Sequence, residues 1–443
     1  MRLKPFFLLF LLFFLLIPFF SVPAYASELS LEAAVGYALE HNLSLKKTEI
    51  DLASSGYAEK NLWSEIFPSI NANASASYRN SLFSGVPLNN SGPGYSIGLG
   101  ISLGLNAGIP HAMKSIKLAH QGNILKYEDA KNQLSIQVTK VFYSLVAEEN
   151  NLLLLDEVFN LAQRQFARSE TMFRNGLVGE LSLTQSRIAL ENARYNLGAA
   201  RISHSNNMVD FLALIGLLSA QGNNAAENVT LSGDVKIVKI EADAEILIDN
   251  YLAHRPDIAR NNQEIERLTI AGMQSVMQNR APSLNLSMDW SASAFDPFSD
   301  SISASARLSI PIDVWIPGTP RAQALTKASD AIEKAKLDLE TAESSAKTQI
   351  RSLTALLRNS WESIVIAKLS LEAAQRGYQL TEQGFSNGTV EALVLEDARN
   401  NMANARQRLL QSELSYFNMI LDLSSALNID WKNLIQTYGV TSE

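Results

Sequence analysis

The side chains able to hold a metal or attack a bond are scattered, and their spacing excludes most active-site chemistry. The five histidines (His41, His111, His120, His204, His254) show none of the close ligand pairs of a zinc site. Met273 and Met277 stand one helical turn apart, a spacing that suits either soft-metal handling or ordinary core filling. The run "GLGISLG", Gly98 to Gly104, has the wrong glycine spacing for a dinucleotide loop, and no helix start follows it. Serines are abundant but form no nucleophile elbow. There is no cysteine, hence no disulfide, no thiolate site and no lipid-modified N-terminal Cys. The reading is a protein that is not an enzyme and needs no cofactor, so its chemistry must lie in what its elements enclose.

Those elements begin after an export signal. Arg2 and Lys4 precede the apolar run Phe6 to Ile17, Pro18 and Pro23 interrupt it, and Ala24-Tyr25-Ala26 offers small residues for cleavage. Residues 1–26 read as a signal peptide. The remaining 417 residues carry 45 acidic against 35 basic side chains, a balance that argues against nucleic acid as partner. Beyond the signal no apolar run reaches about 18 residues, so any membrane span must be built of strands.

Four segments have the required alternation. Ile70, Ala72, Ala74, Ala76 and Tyr78 alternate with Asn and Ser. Ile97, Leu99, Ile101, Leu103 and Leu105 alternate with Ser and Gly. The pattern returns at 283–293 and 301–312, so strands are expected near 69–78, 95–106, 283–293 and 301–312. Their polar faces are small and uncharged except for Asp289 and Arg307, as suits a wall lining water. Four strands cannot close a barrel, and an open edge in lipid is not tolerated. Two copies of the chain would give a narrow, plugged barrel; three would give twelve strands and a water-filled bore.

The remainder is helical, and it is written twice. "FRNGLVGELSLTQSRIALENARYNL" from Phe173 returns as "FSNGTVEALVLEDARNNMANARQRL" from Phe385, a constant offset of 212 residues. Each half reads helix, Pro, strand, loop, strand, long helix, Asn-Gly, helix. The long helices, from about His111 and Arg321, would extend roughly 100 Å each. Leu183, Leu190 and Leu197 recur every seven residues, as do Ser186, Ala193 and Ala200, which calls for coiled-coil packing. Asn175-Gly176 and Asn387-Gly388 mark tight reversals. Residues 27–228 form the first repeat, 229–428 the second and 429–443 a tail, with a polar linker at 221–234. His41 and His254 occupy matching places before a helix. Arg187, Arg194 and Arg201 read as a solvated face making helix-surface pairs.

With these residues in view, the paired halves resemble the TolC family of outer-membrane efflux proteins. The resemblance rests on the "PSLNLSMDWSAS" strand, "LSIPIDVW" and the "NG…LxxxR…NAR" motif, and it covers essentially the whole mature chain. It implies a mainly α fold with transmembrane β. A homotrimer pools four strands per chain into a twelve-stranded outer-membrane barrel, continued by a coiled-coil α-barrel across the periplasm of a Gram-negative bacterium. It further implies a passive exit duct in outer-membrane lipid, served by an inner-membrane transporter and a periplasmic adaptor. By this likeness Asn175, Gly176, Leu177, Asn387, Gly388 and Thr389 are the adaptor-docking tips, and the loops Arg79 to Gly94 and Ala294 to Asp300 face outward.

Departures from the family pattern fall at the entrance. Of two aspartates three residues apart, only Asp397 is present; the other position is Val394. Asp397 then has two readings, a gate carboxylate or a solvated helix-face acid. The residues matching the family's charged latch are Ser182, Phe385 and Val390, none able to make it. The expectation is a looser entrance or an apolar seal made by Phe385 and Val390. Type I protein secretion would use the same duct. A surface coiled-coil adhesin would explain the heptads, though not the four alternating segments.

Overall fold

A computed structural model describes residues 27–79, 92–217, 229–233, 237–293, 299–387 and 389–440. The expected signal peptide, most of the expected linker, most of both loops expected to face outward and Gly388 lie outside these residues.

The first half starts with β1 (Ser27–Ser30), α1 (Leu31–His41) and α2 (Leu43–Lys60). Ser30 caps α1, accepting from the Ala33 N–H at 3.3 Å, and Asn42 caps α2 through the N–H groups of Ser44 and Leu45. Strands β2 (Ser69–Arg79) and β3 (Gly92–Asn106) follow. Then come α3 (Ile109–Arg174) and α4 (Glu180–Leu214). Proline falls in the first turn of α3, where its missing N–H costs nothing. At 66 residues α3 runs about 100 Å.

The second half repeats the plan. It has β4 (Val229–Ser232), β5 (Lys239–Ile240), α5 (Ala244–Tyr251) and α6 (Pro256–Arg280). It continues with β6 (Ser283–Ser293), β7 (Ser299–Ser309), α7 (Pro320–Ser386) and α8 (Ala392–Leu427). The segment expected as a tail instead forms α9 (Trp431–Tyr438) and β8 (Gly439–Val440), and Leu434 is fully buried. The fourth strand begins two residues earlier than expected and ends at Ser309 rather than 312. Pro311 has no N–H to continue the ladder, and the chain turns into a short 3-10 segment at Asp313.

The four long strands form one antiparallel sheet in the order β2-β3-β6-β7. Pairing sets Ile101 beside Ile70 and Met288, and Leu99 beside Ala72 and Trp290, so one face is apolar except for Asp300, which stands opposite Ala292 near the start of β7. The other face is a set of serine ladders: Ser69 to Ser102 at 2.6 Å, Ser75 to Ser96 at 2.8 Å and Ser287 to Ser305 at 2.8 Å. Two short ladders tie the chain ends down, β1 with β4 in parallel and β5 with β8 antiparallel.

Between sheet and hairpins sit two apolar cores. One joins α1, α3 and α4 through Ala38, Val138, Phe142, Phe211 and Ile215. The other joins α5, α7, α8 and α9 through Leu247, Ile350, Leu357, Ile420 and Leu434. The duplication is visible in three dimensions: Val138, Leu145, Met208, Phe211 and Ile215 are buried, and so are Ile350, Leu357, Ile420, Leu423 and Leu427, each 212 residues on. Helix α8 serves both cores, since its Phe417 and Leu421 belong to the first.

His41 and His254 mark matching joints. Asn42 donates to the Leu214 carbonyl at 2.8 Å, and Arg255 donates to the Ala426 carbonyl at 2.8 Å. In each half the cap residue after the histidine therefore ties the helix start to the end of that half's last long helix.

Candidate functional site

The first hairpin tip is set by one glycine. Gly176 adopts φ of 72°, its N–H bonds to the Phe173 carbonyl, and the Leu177 N–H bonds to the Met172 carbonyl, both at 2.9 Å. This paired closure ends a helix on a left-handed residue and satisfies its last carbonyls. Leu177 is left exposed at the apex. At the second tip the Thr389 N–H bonds to the Gly384 carbonyl with the same five-residue reach, and the Thr389 hydroxyl donates to the same oxygen at 2.9 Å.

The entrance candidates separate into three groups. Phe385 is half-buried beneath Arg168 of the first hairpin, whose guanidinium carbon stands 4.9 Å from the ring centre. Val390 folds back on its own hairpin; a methyl added to Gly384 would lie 2.5 Å from Val390 Cγ2, so glycine is what admits the contact. Val394 and Asp397 are exposed, and Ser182 lies in the first turn of α4 with its N–H on the Gly179 carbonyl. The structure thus brings Phe385 to a cation on the other hairpin.

Higher on the second hairpin lies a buried charge. Arg399 is 8% exposed, its Nε has no partner, and burial lowers its pKa, opposed by the nearby Glu396 carboxylate and Tyr378. Its repeat twin Arg187 is exposed. Arg194 pairs with Glu191 at 3.0 Å and Arg201 with Asp156 across the hairpin at 3.1 Å.

At the sheet, the polar face lies flat. Asp289 leans over Gly100 and Asn73 over Gly98, so that a methyl on either glycine would meet those oxygens at 2.7 and 2.8 Å. Arg307 stands opposite Asn285 on the same face as Asp289. The apolar face is bare in the single chain, with Ile70, Leu99, Met288 and Ile302 all more than half exposed.

Two further stripes are bare. On α4, Leu181, Ile188, Tyr195 and Ile202 are exposed at intervals of seven, a face opposite the Leu183–Leu190–Leu197 seam. On α7, Ile366, Leu369 and Leu380 are exposed. These stripes, like Arg168, were not singled out from sequence. The seven-residue spacing was the available signal for the first; only the packing of one hairpin on the other supplies the second.

Among the described residues no group of three or more His, Cys, Asp or Glu is arranged to hold a metal. His204 faces Glu148 at 3.3 Å and His120 faces Glu59 at 3.6 Å. Burial raises the pKa of Glu149, against the His204 ring and the Leu231 N–H. Met273 and Met277 are both partly exposed on α6. Among the described residues no helix is long and apolar enough to cross a membrane.

Comparison with known proteins agrees with this geometry. The profile of the family described as "Outer membrane efflux protein" matches residues 34–217 and 247–428, the two repeats. The chain is 23% identical over 414 residues to the cation efflux system protein CusC of Escherichia coli O157:H7, covering 90% of this chain and 85% of that protein. It is 23% identical over 429 residues to the toluene efflux pump outer membrane protein TtgC of Pseudomonas putida, covering 91% and 83%. Among solved structures, the Campylobacter jejuni CmeC outer membrane channel superposes with a TM-score of 0.73 at 19% identity, covering 92% of this chain and 88% of that one.

Proposed function

The chain belongs to the outer membrane efflux protein family, and from that premise we propose that three copies assemble into an outer-membrane exit duct. The observation that carries the proposal is the sheet. Among the described residues, strands β2 and β7 each have one unpaired edge, and much of the apolar face is exposed. A lipid-exposed edge leaves backbone N–H and C=O groups without partners, so the edges must meet those of other copies. Three chains supply twelve strands. Eleven residues span about 36 Å along the strand, which a tilt near 40° reduces to about 28 Å, the thickness of a hydrocarbon core.

The same assembly covers the bare helical stripes. Helix α3 packs on α8 within the chain, so α4 and α7 are the long helices left to meet a neighbour. The serine ladders, Asp289 and Arg307 then face the bore, and the apolar strand residues face lipid. Cargo moves down its gradient; the energy comes from an inner-membrane transporter. A periplasmic adaptor links the two and docks at Asn175, Gly176, Leu177, Asn387, Gly388 and Thr389. Asp397 and Val394 lie at the entrance, with one carboxylate per chain to favour cations.

The purified mature protein is expected to run as a detergent-stable trimer and to form channels in planar bilayers, and its deletion is expected to sensitise cells to exported compounds. A stable, detergent-free monomer with no channel activity would end this reading.

A further inference from the structure

We propose that, in the trimer, Leu380 of one subunit packs against Phe173 of the next at the periplasmic entrance. The hairpins are then joined by two chemistries in alternation, a cation on a ring inside each chain and an apolar contact between chains. This rests on the trimeric reading above.

The internal repeat, applied to an interface the chain already contains, selects this pair. Helix α3 meets the second hairpin through Lys140 with Asp422, Glu157 with Arg406 at 3.5 Å, and Arg168 with Phe385. The 212-residue offset that relates the two halves holds for the ends of the long helices, Arg174 and Ser386, and for the buried core twins. A ring of repeated hairpins has to use this interface again, with α7 in the place of α3 and the neighbour's first hairpin in the place of the second. Moving Arg168 forward and Phe385 back by the offset converts them into Leu380 and Phe173. The same shifts convert Glu157 and Arg406 into Leu369 and Arg194, the latter adjacent to Tyr195.

The exposure of these residues in the single chain agrees. Leu380 is 55% exposed, Phe173 39%, Leu369 61% and Tyr195 74%. Leu369 and Leu380 lie on α7, and Tyr195, next to the offset partner Arg194, lies on the exposed α4 stripe, so both sides of the predicted seam present apolar surface. Phe385, the twin of Phe173, already has its cover in Arg168.

The two chemistries divide the motion. A guanidinium over a ring is positional, and it holds the two hairpins of one chain as a unit. Leucine against phenylalanine is non-directional, and such surfaces slide. Dilation of the entrance therefore begins at the joints between chains, and full opening also parts the in-chain pair.

The test uses the full-length protein, which has no cysteine of its own. Phe173→Cys combined with Leu380→Cys, treated in membranes with a short bismaleimide, should gain covalent dimers and trimers on denaturing gels, while each single variant stays monomeric. Tyr195→Cys with Leu369→Cys reports the long seam. Absence of the entrance crosslink in a protein of trimeric mass overturns the proposal whatever the reference pair does, and a monomeric native mass overturns the trimer itself. As a second readout, Leu380→Glu should raise single-channel conductance, whereas Leu380→Arg, which copies the in-chain pair, should leave it low; equal conductance of the two also overturns the proposal.

Discussion

Replacing Arg168 by Gln removes the cation from the Phe385 ring while keeping a polar side chain of similar reach. The guanidinium stands 4.9 Å from the ring centre, Arg168 is exposed and Phe385 half-buried. A cation over an aromatic face at such a site contributes about 0.5–1 kcal/mol. In a trimer there are three copies, and if opening separates them together the closed state loses about 1.5–3 kcal/mol, a shift of roughly 10- to 150-fold in the open-to-closed ratio. If they open one at a time, each shifts only about two- to fivefold.

Planar-bilayer recording reads this directly as the fraction of time spent above the resting conductance. The control is a double-mutant cycle with Phe385→Leu, which keeps an apolar side chain and removes the ring. Arg168→Gln should have a large effect on the unmodified chain and almost none in the Phe385→Leu background. Equal effects in both backgrounds would mean that Arg168 acts through the general charge of the entrance. That result, or an open fraction within twofold of the parent, would refute the reasoning.

Tyr416→Phe should lower the thermal midpoint, because the fully buried hydroxyl accepts from the Ile240 N–H at 2.8 Å and donates to the Val238 carbonyl at 3.1 Å; an orphaned buried N–H costs about 1–3 kcal/mol. Gly176→Ala should fold with a loss of only about 1 kcal/mol, since its φ of 72° meets open space, whereas Gly216→Ala should fail to assemble, because a methyl there lies 2.5 Å from His41 Cβ at a φ of 79°. Oligomer yield on gels separates the two. Burial alone would raise the pKa of Asp257, but its bonds and charge interaction with Arg255, helped by the Ile258 N–H, outweigh that and hold it low. Its contribution to stability is therefore complete above about pH 4 and lost as pH falls through the depressed folded value, so acid should lower the melting midpoint less in Asp257→Asn than in the parent.

What could be read in the sequence were signals with a short period. Alternation in Ile97 to Leu105 located a strand, because each side chain answers to the face it occupies. Asn175-Gly176 located a reversal, because few residues besides glycine take a left-handed backbone cheaply. The ladders of β1 with β4 and β5 with β8 are four and two residues long, too short for any period to show. Helix α9 was hidden for a related reason: Leu434 and Trp431 acquire meaning only when α8 is in place to receive them. Arg168 could not be paired with Phe385 from sequence, since 217 residues separate them and the register between two hairpins is set by packing far above.

The duplicated motif also shows where repetition stops being informative. Twins that stay buried, such as Val138 with Ile350 and Phe211 with Leu423, mark the scaffold both halves need. Twins that differ mark the places where a chain's two hairpins have unlike neighbours. Phe166 packs against Ala162 and Leu190 in the first hairpin, while Tyr378 in the second donates to Glu382 near the desolvated Arg399. A buried guanidinium with an unpartnered Nε is costly relative to an apolar replacement. The second hairpin is therefore held together less firmly than the first at this level.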